Sequence, residues 1–332
     1  MSLTSISPEG SAERSAQAPT VGGRSKRLLG GMHWTGAFWY RLHSFGVRIL
    51  PEAVLPLMTR LFALIFVVVL GGVRRGIASN LETVLGPAGR VAGWRRSFRT
   101  LLQHAWCMNE SYEGLQGGGR SEPEVEGVEH WRAVTDAGRG FVLVTAHVGH
   151  WQVGSHLTEQ GKVSKIHVVR EQELDPEAQR FMAEMLRRSG GESYEVHFSG
   201  GDDPALGTRL LKALRAGEVV ALQGDRASAQ GRRLSVELFG RPFEVPAGPA
   251  ALARAAEVPM LPVFVFRSGR ASSRLSFRPP IEVDPERPSR VATHEAMQSY
   301  VQELEWAVRR EPHQWFCLRA LWPAKGTAKE TK

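Results

Sequence analysis

Phe141-Val-Leu-Val-Thr-Ala-His147-Val-Gly-His150-Trp151-Gln152-Val-Gly-Ser-His156 decides how this chain is read. Phe141 to Thr145 is an apolar, largely β-branched run, the pattern of a strand buried on both faces. Gly149 interrupts it, and Trp151 to Glu159 can continue as a helix. A histidine delivered at a strand-to-helix junction sits at the carboxyl edge of a parallel sheet, where α/β folds place their chemistry. Small neighbours (Ala146, Gly149, Gly154) leave room for a substrate to approach the backbone. His147 is therefore the candidate centre of function.

Strand and helix alternate regularly beyond that point. Lys165 to Arg170 reads as a strand, then Pro176 to Arg188 as a helix with Asp175 as N-cap and Pro176 as its first residue. Tyr194 to Phe198 is a strand, and Pro204 to Ala216 a helix capped by Asp203. Val219 to Leu222 is a buried strand running into Gln223-Gly224-Asp225-Arg226. Leu234 to Val245 reads as a hairpin turning at Gly240-Arg241, and Ala250 to Ala256 as a helix. Met260 to Phe266, Ser273 to Phe277 and Ile281 to Val283 read as strands, before a helix from about Thr293 to Arg309. Repeated strand-helix units specify an α/β domain with a largely parallel sheet flanked by helices. Val125 to Trp131, a short strand leading into a helix, opens that domain.

The N-terminal third has another character. Residues 1–28 are rich in Ser, Gly, Ala and Pro, lack a continuous apolar core, and read as a weakly basic disordered tail. Trp34, Phe38, Trp39, Leu42, Phe45 and Ile49 recur at near-helical spacing. An apolar stretch follows, whose uncharged part, Leu61 to Val73, has 13 residues, short of the roughly 20 that a spanning helix needs. It is too apolar all round for an ordinary surface helix, which leaves a buried core helix or one lying partly in a leaflet. The aromatic helix beside it favours peripheral membrane contact. Ile77 to Gly86-Pro87 and Val91 to about Leu115 read as further helix, ended by Gly117-Gly-Gly-Arg-Ser-Glu-Pro123. The expected organisation is a tail (1–28), a helical membrane-associating region (29–117), an α/β domain (118–325) and a flexible end (326–332).

Formal charge is +8, from 42 Lys+Arg against 34 Asp+Glu, with Arg far in excess of Lys. Arginine suits bidentate contact with phosphate or carboxylate. No finger spacing, basic heptad helix or RNA-binding aromatic motif points to nucleic acid. Cys107 and Cys317 are the only cysteines, so neither a disulfide framework nor a cysteine metal cluster is expected. The pair His147-x2-His150 lacks a third ligand at zinc-like spacing, and no metal is expected there.

Chemistry concentrates at His147 to Gln152, Arg170, Asp225-Arg226 and the stretch Phe239 to Pro249. A histidine at a sheet edge can take a proton from a hydroxyl attacking an acyl carbon, provided an acceptor on its other nitrogen fixes the tautomer. His147-Val-Gly-His-Trp-Gln152 resembles the His-x4-Asp/Glu motif of the lysophospholipid acyltransferase superfamily, and most closely the bacterial lipid A late acyltransferases. Val169-Arg170, Gln223-Gly-Asp225-Arg226, Phe239-Gly240 with Pro246 to Ala250, Leu261-Pro262-Val263 and Gln314-Trp315-Phe316 keep the order of that family's later segments. The resemblance implies an α/β acyltransferase with His147 as general base and Gln152 orienting it. Arg170 and Arg226 then hold an acceptor anion positioned by Asp225, with Trp151 and Gly149 lining the site and amides near Gly149 facing the oxyanion. It further implies an acyl carrier protein or coenzyme A donor, a lipid acceptor, no cofactor or metal, and the cytoplasmic face of an inner membrane. Gln152 departs from the family, whose residue there is acidic. A glutamine can orient the ring without stabilising its protonated form. Recruitment of another carboxylate (Glu173 or Asp225), a catalytically dead acyl-binding relative, and a hydrolase are the alternatives this departure opens.

Overall fold

The computed structural model describes residues 37–115, 122–150, 163–172, 175–180, 184, 194–199, 203–227 and 231–322. The two tails, the Gly117 to Pro123 boundary up to residue 121, the helix expected at Trp151 to Glu159 and most of the helix expected to Arg188 lie outside them.

Among the described residues four helices come first: α1 (Ala37–Ile49), α2 (Leu55–Val69), α3 (Gly71–Leu85) and α4 (Arg90–Leu115). The apolar run read as one segment is broken. Leu70 leaves helical geometry at φ −88°, ψ 64°, and α3 starts again at Gly71-Gly72, bent from α2 by 94°. Among the described residues no single helix is long and apolar enough to cross a membrane, although this bent pair has the length and composition together. On α2, Leu55, Thr59, Ala63 and Val67 are buried, a helical stripe facing α4 and α3, while Leu57, Leu61, Phe62, Leu64, Ile65, Val68 and Val69 are exposed.

After α4 come β1 (Glu124–Glu126), α5 (Val128–Thr135), β2 (Phe141–Thr145), β3 (Ile166–Glu171) and β4 (Tyr194–Ser199). Then follow α6 (Leu206–Arg215), β5 (Val219–Gln223), β6 (Arg233–Leu238), β7 (Arg241–Pro246), α7 (Gly248–Ala256), β8 (Met260–Gly269), β9 (Ser272–Phe277) and α8 (Ser289–Arg310). Asp175 caps the intervening helical stretch at 176–180, its Oδ1 accepting the Glu177 N–H at 2.9 Å. Seven strands form one sheet in the order β1-β9-β8-β2-β5-β3-β4, and β6-β7 forms a separate hairpin. Among the described residues only the β8–β9 pairing is antiparallel in the large sheet. The mostly parallel α/β reading holds.

β2 sits at the centre, and its alternation supplies both cores. Val142 and Val144 pack with α6, α7, α8 and the β6-β7 hairpin, while Phe141 and Leu143 face Trp131 and Val134 of α5. Such a run is apolar on consecutive residues because neither face meets water.

Two local readings change. The hairpin turns at Phe239-Gly240, one residue earlier than its composition indicates, with both residues at positive φ (52° and 69°) and Leu238 opposite Arg241. That two-residue geometry follows the right-handed twist of the flanking strands. Ile281 to Val283 makes only an isolated bridge, Met260 with Ile281, because Pro279-Pro280 before it have no amides to start a ladder.

Candidate active site

Thr145, the last residue of β2, is level with Gln223, the last residue of β5. Two residues further along each chain lie His147 and Asp225, so the register alone brings them together at the carboxyl edge. Two hydrogen bonds lock the strand ends in place: the Gly224 N–H and the Tyr300 hydroxyl both donate to the Thr145 carbonyl, each at 2.8 Å. Gly224 has to be glycine here, since a Cβ would lie 2.5 Å from the Tyr300 ring and 2.8 Å from Val144.

Asp225 grips His147 twice. Its Oδ1 lies 2.8 Å from the ring Nδ1, and its Oδ2 accepts the His147 main-chain N–H at 3.1 Å. The carboxylate is fully buried, while the imidazole keeps 18% of its side-chain surface open. Burial by itself pushes the Asp225 carboxyl up. The charge and hydrogen bonds of His147, with the Arg226 guanidinium, outweigh that and hold it down at about 2. An ionised Asp225 accepts Nδ1–H, which makes Nε2 the nitrogen able to accept a proton.

The residues after His147 are stitched to two other segments. The Phe316 N–H donates to the His147 carbonyl at 2.8 Å, the Gly149 N–H to Gln314 O at 2.9 Å, and the His150 N–H to Val265 O at 2.8 Å. The Val148 N–H is taken by Ala146 O at 2.7 Å. All four amides from 147 to 150 are thus committed, and the developing oxyanion expected near Gly149 finds no spare donor among them. Gly149 serves close approach instead. At φ 55°, a Cβ there would come within 2.1 Å of Val265 O and 2.9 Å of the Gln314 amide oxygen.

Beneath this loop runs a buried polar chain. His150 Nε2 is 2.6 Å from Glu110 Oε2, and Glu110 Oε1 accepts from Arg267 Nε at 2.9 Å. Gln314 closes it, exchanging hydrogen bonds of 2.8 Å with the Arg267 main chain in both directions. Sequence reasoning passed over Glu110 and Arg267. The available signal was a lone carboxylate amid Trp106-Cys-Met-Asn-Glu110-Ser-Tyr112 on α4.

Arg226 lies in the site, half-buried, with its guanidinium donating to the Phe316 carbonyl. Burial, and the positive charges of His43, Arg226 and His147, lower the His104 pKa to about 4. Arg170 stands at the same sheet edge, since Val168 is level with Ala221 and Ala221 with Leu143. Two inter-strand spacings, roughly 10 Å, separate its strand from β2. Its carbonyl accepts from the Ser199 hydroxyl at 3.1 Å. Trp151, Gln152 and Glu173 lie outside the described residues. Burial pushes the Cys317 thiol up to about 12, with Asp225 adding to it, and raises Cys107 as well, so neither offers a thiolate. A base paired with a buried carboxylate, at an edge with two arginines and no activated thiol, is suited to activating a hydroxyl brought by a substrate.

Over residues 23–324 the chain matches the family described as bacterial lipid A biosynthesis acyltransferase. It is also similar to phosphatidylinositol mannoside acyltransferase of Mycobacterium tuberculosis, in strains CDC 1551 and H37Rv. In each case the identity is 33% over 149 residues, covering 44% of this chain and 45% of the relative. The chain thus spans about half the length of the curated relatives it matches.

Proposed function

The chain belongs to the bacterial lipid A biosynthesis acyltransferase family, and from that premise we propose that it moves a fatty acyl chain from a thioester to a hydroxyl of a lipid acceptor. The observation that carries the reading is the doubly held pair His147–Asp225 at the carboxyl edge of the sheet. In the reaction, Nε2 of His147 removes the acceptor's hydroxyl proton as the oxygen bonds to the thioester carbon. The tetrahedral intermediate collapses by breaking the carbon–sulfur bond, and the imidazolium returns its proton to the departing thiolate. Asp225 fixes the tautomer and stabilises the transient imidazolium. It supplies the negative charge that Gln152 lacks, which favours catalysis over a merely acyl-binding role.

Arg226 and Arg170 are the candidates for holding an anionic group of the acceptor, and acyl carrier protein or acyl-coenzyme A is the candidate donor. The family's description and the mannoside-modifying relatives both favour a glycolipid acceptor over a simple lysolipid. The exposed apolar side of α2, with Leu42, Phe45 and Ile49 of α1, supports peripheral attachment to a membrane, for which the family resemblance makes the cytoplasmic face of an inner membrane the candidate.

The test is a transfer assay with the full chain, a labelled acyl thioester on either carrier, and glycolipid or lysophospholipid acceptors. Label should move into lipid, and His147→Ala should abolish the transfer. Release of free fatty acid only, or activity unchanged in His147→Ala, overturns the reading.

A further inference from the structure

At the far side of the sheet lies a group of side chains that the mechanism leaves unused. β3 and β4 pair in parallel with His167 opposite Glu195 and Val169 opposite His197. Because side chains alternate along a strand, His167, Glu195 and His197 share one face of this outer pair. We propose that these three residues bind a divalent transition-metal ion of the zinc class, clipping the edge strand β4 to β3.

The geometry carries the inference. His167 Nδ1 is 2.9 Å from His197 Nε2, Glu195 Oε1 is 3.6 Å from His197 Nε2, and Glu195 Oε2 is 3.8 Å from His167 Nδ1. Metal bonds of about 2.0–2.1 Å in a tetrahedron give ligand-to-ligand edges of about 3.4 Å, and one donor atom from each of the three residues already lies within 4.8 Å of the other two. Two imidazoles and a carboxylate are a zinc donor set that leaves a fourth position for water. The surrounding shell is that of a metal site too. Glu218 Oε2 stands 2.7 Å from His167 Nε2, so it accepts that N–H and directs the Nδ1 lone pair into the cluster. Lys165 pairs with Glu195 Oε2, the oxygen on the His167 side, while Oε1 faces His197. Both histidines are almost wholly buried while Glu195 is 43% exposed, so an ion enters past the carboxylate.

The ion's role is structural. His167 is level with Val220 of β5, five residues before Asp225 in the chain, which is roughly 16 Å of extended backbone. Among the described residues β4 is the last strand of the sheet, so a cross-strand clip acts where the ladder is weakest.

The experiment uses the full chain, untagged and stripped with a chelator, then titrated with Zn²⁺ and separately with Co²⁺. One equivalent should bind, Co²⁺ should give the visible absorption of a tetrahedral site, and Zn²⁺ should raise the thermal midpoint. His197→Ala should lose these effects. Glu195→Gln, which keeps shape, and Glu218→Gln, which frees the His167 ring, should each weaken Zn²⁺ affinity about tenfold or more. Wild type that binds neither ion stoichiometrically overturns the proposal. So does binding that persists at wild-type strength in a folded His197→Ala or Glu195→Gln chain. His147-dependent acyl transfer is read in parallel, and its outcome leaves this test untouched.

Discussion

Asp225 accepts two N–H groups, one from the ring and one from the main chain of His147, and an asparagine can accept only one of them. In Asp225→Asn the amide NH2 must face either the ring or the backbone N–H, so the ring tautomer or the loop is lost. We expect kcat to fall by about 10²–10⁴, with KM for the acceptor much less affected, read in the transfer assay. Acid should act in two stages. His104 titrates near 4 in the folded chain against 6.5 ordinarily. Its neutral form is favoured by folding, so stability falls as pH drops from about 6.5 towards 4. Asp225 titrates near 2 against 3.8, so its contribution, about 2 kcal/mol, is intact above about 4 and lost between about 4 and 2. Denaturant midpoints measured across this range should show the first stage flattened in His104→Gln and the second in Asp225→Asn. The sequence displayed both His147 and Asp225 at strand ends. The sequence offered Asp225 only as one of two carboxylates, with Glu173, that the ring could recruit; choosing it depends on Thr145 being level with Gln223, and register is set by packing that no single segment carries.

At the scale of elements, strands were legible wherever a period of two or a doubly buried run marked them, as in β2, β5 and β6. The break between α2 and α3 was not, because apolar composition continues through Leu70 while the backbone turns. Its one local sign was Gly71-Gly72, which begins the next helix rather than ending the last. The side of α2 that faces neither α3 nor α4 is the proposed membrane contact. Phe62→Glu with Ile65→Glu should abolish sedimentation with anionic vesicles and leave turnover of a detergent-dispersed acceptor within about twofold, since both side chains are exposed. Vesicle binding equal to wild type would remove α2 from the membrane proposal.

Across the whole molecule, the helical third and the sheet are joined by buried polar contacts. Asn80 of α3 donates to Cys317 O and Arg319 O and accepts from the Leu321 N–H. Glu110 of α4 meets His150 and Arg267. Composition draws a boundary near residue 117, yet these partners stand about forty to more than two hundred positions apart in the chain, a separation that local pattern cannot report. Glu110→Gln leaves the Arg267 charge buried without its carboxylate and should cost about 3 kcal/mol or more. It should lower transfer activity too, because His150 follows directly on the Gly149 loop. Chemical denaturation and the transfer assay check the two parts separately.

One carboxylate thus sets both where the peptide after β2 runs and which nitrogen of the imidazole is basic. A chain whose two inner strands have not yet come level leaves the imidazole without that partner, so on the proposed mechanism the base is assembled only with the sheet. Folding and the readiness of the site are then one event rather than two.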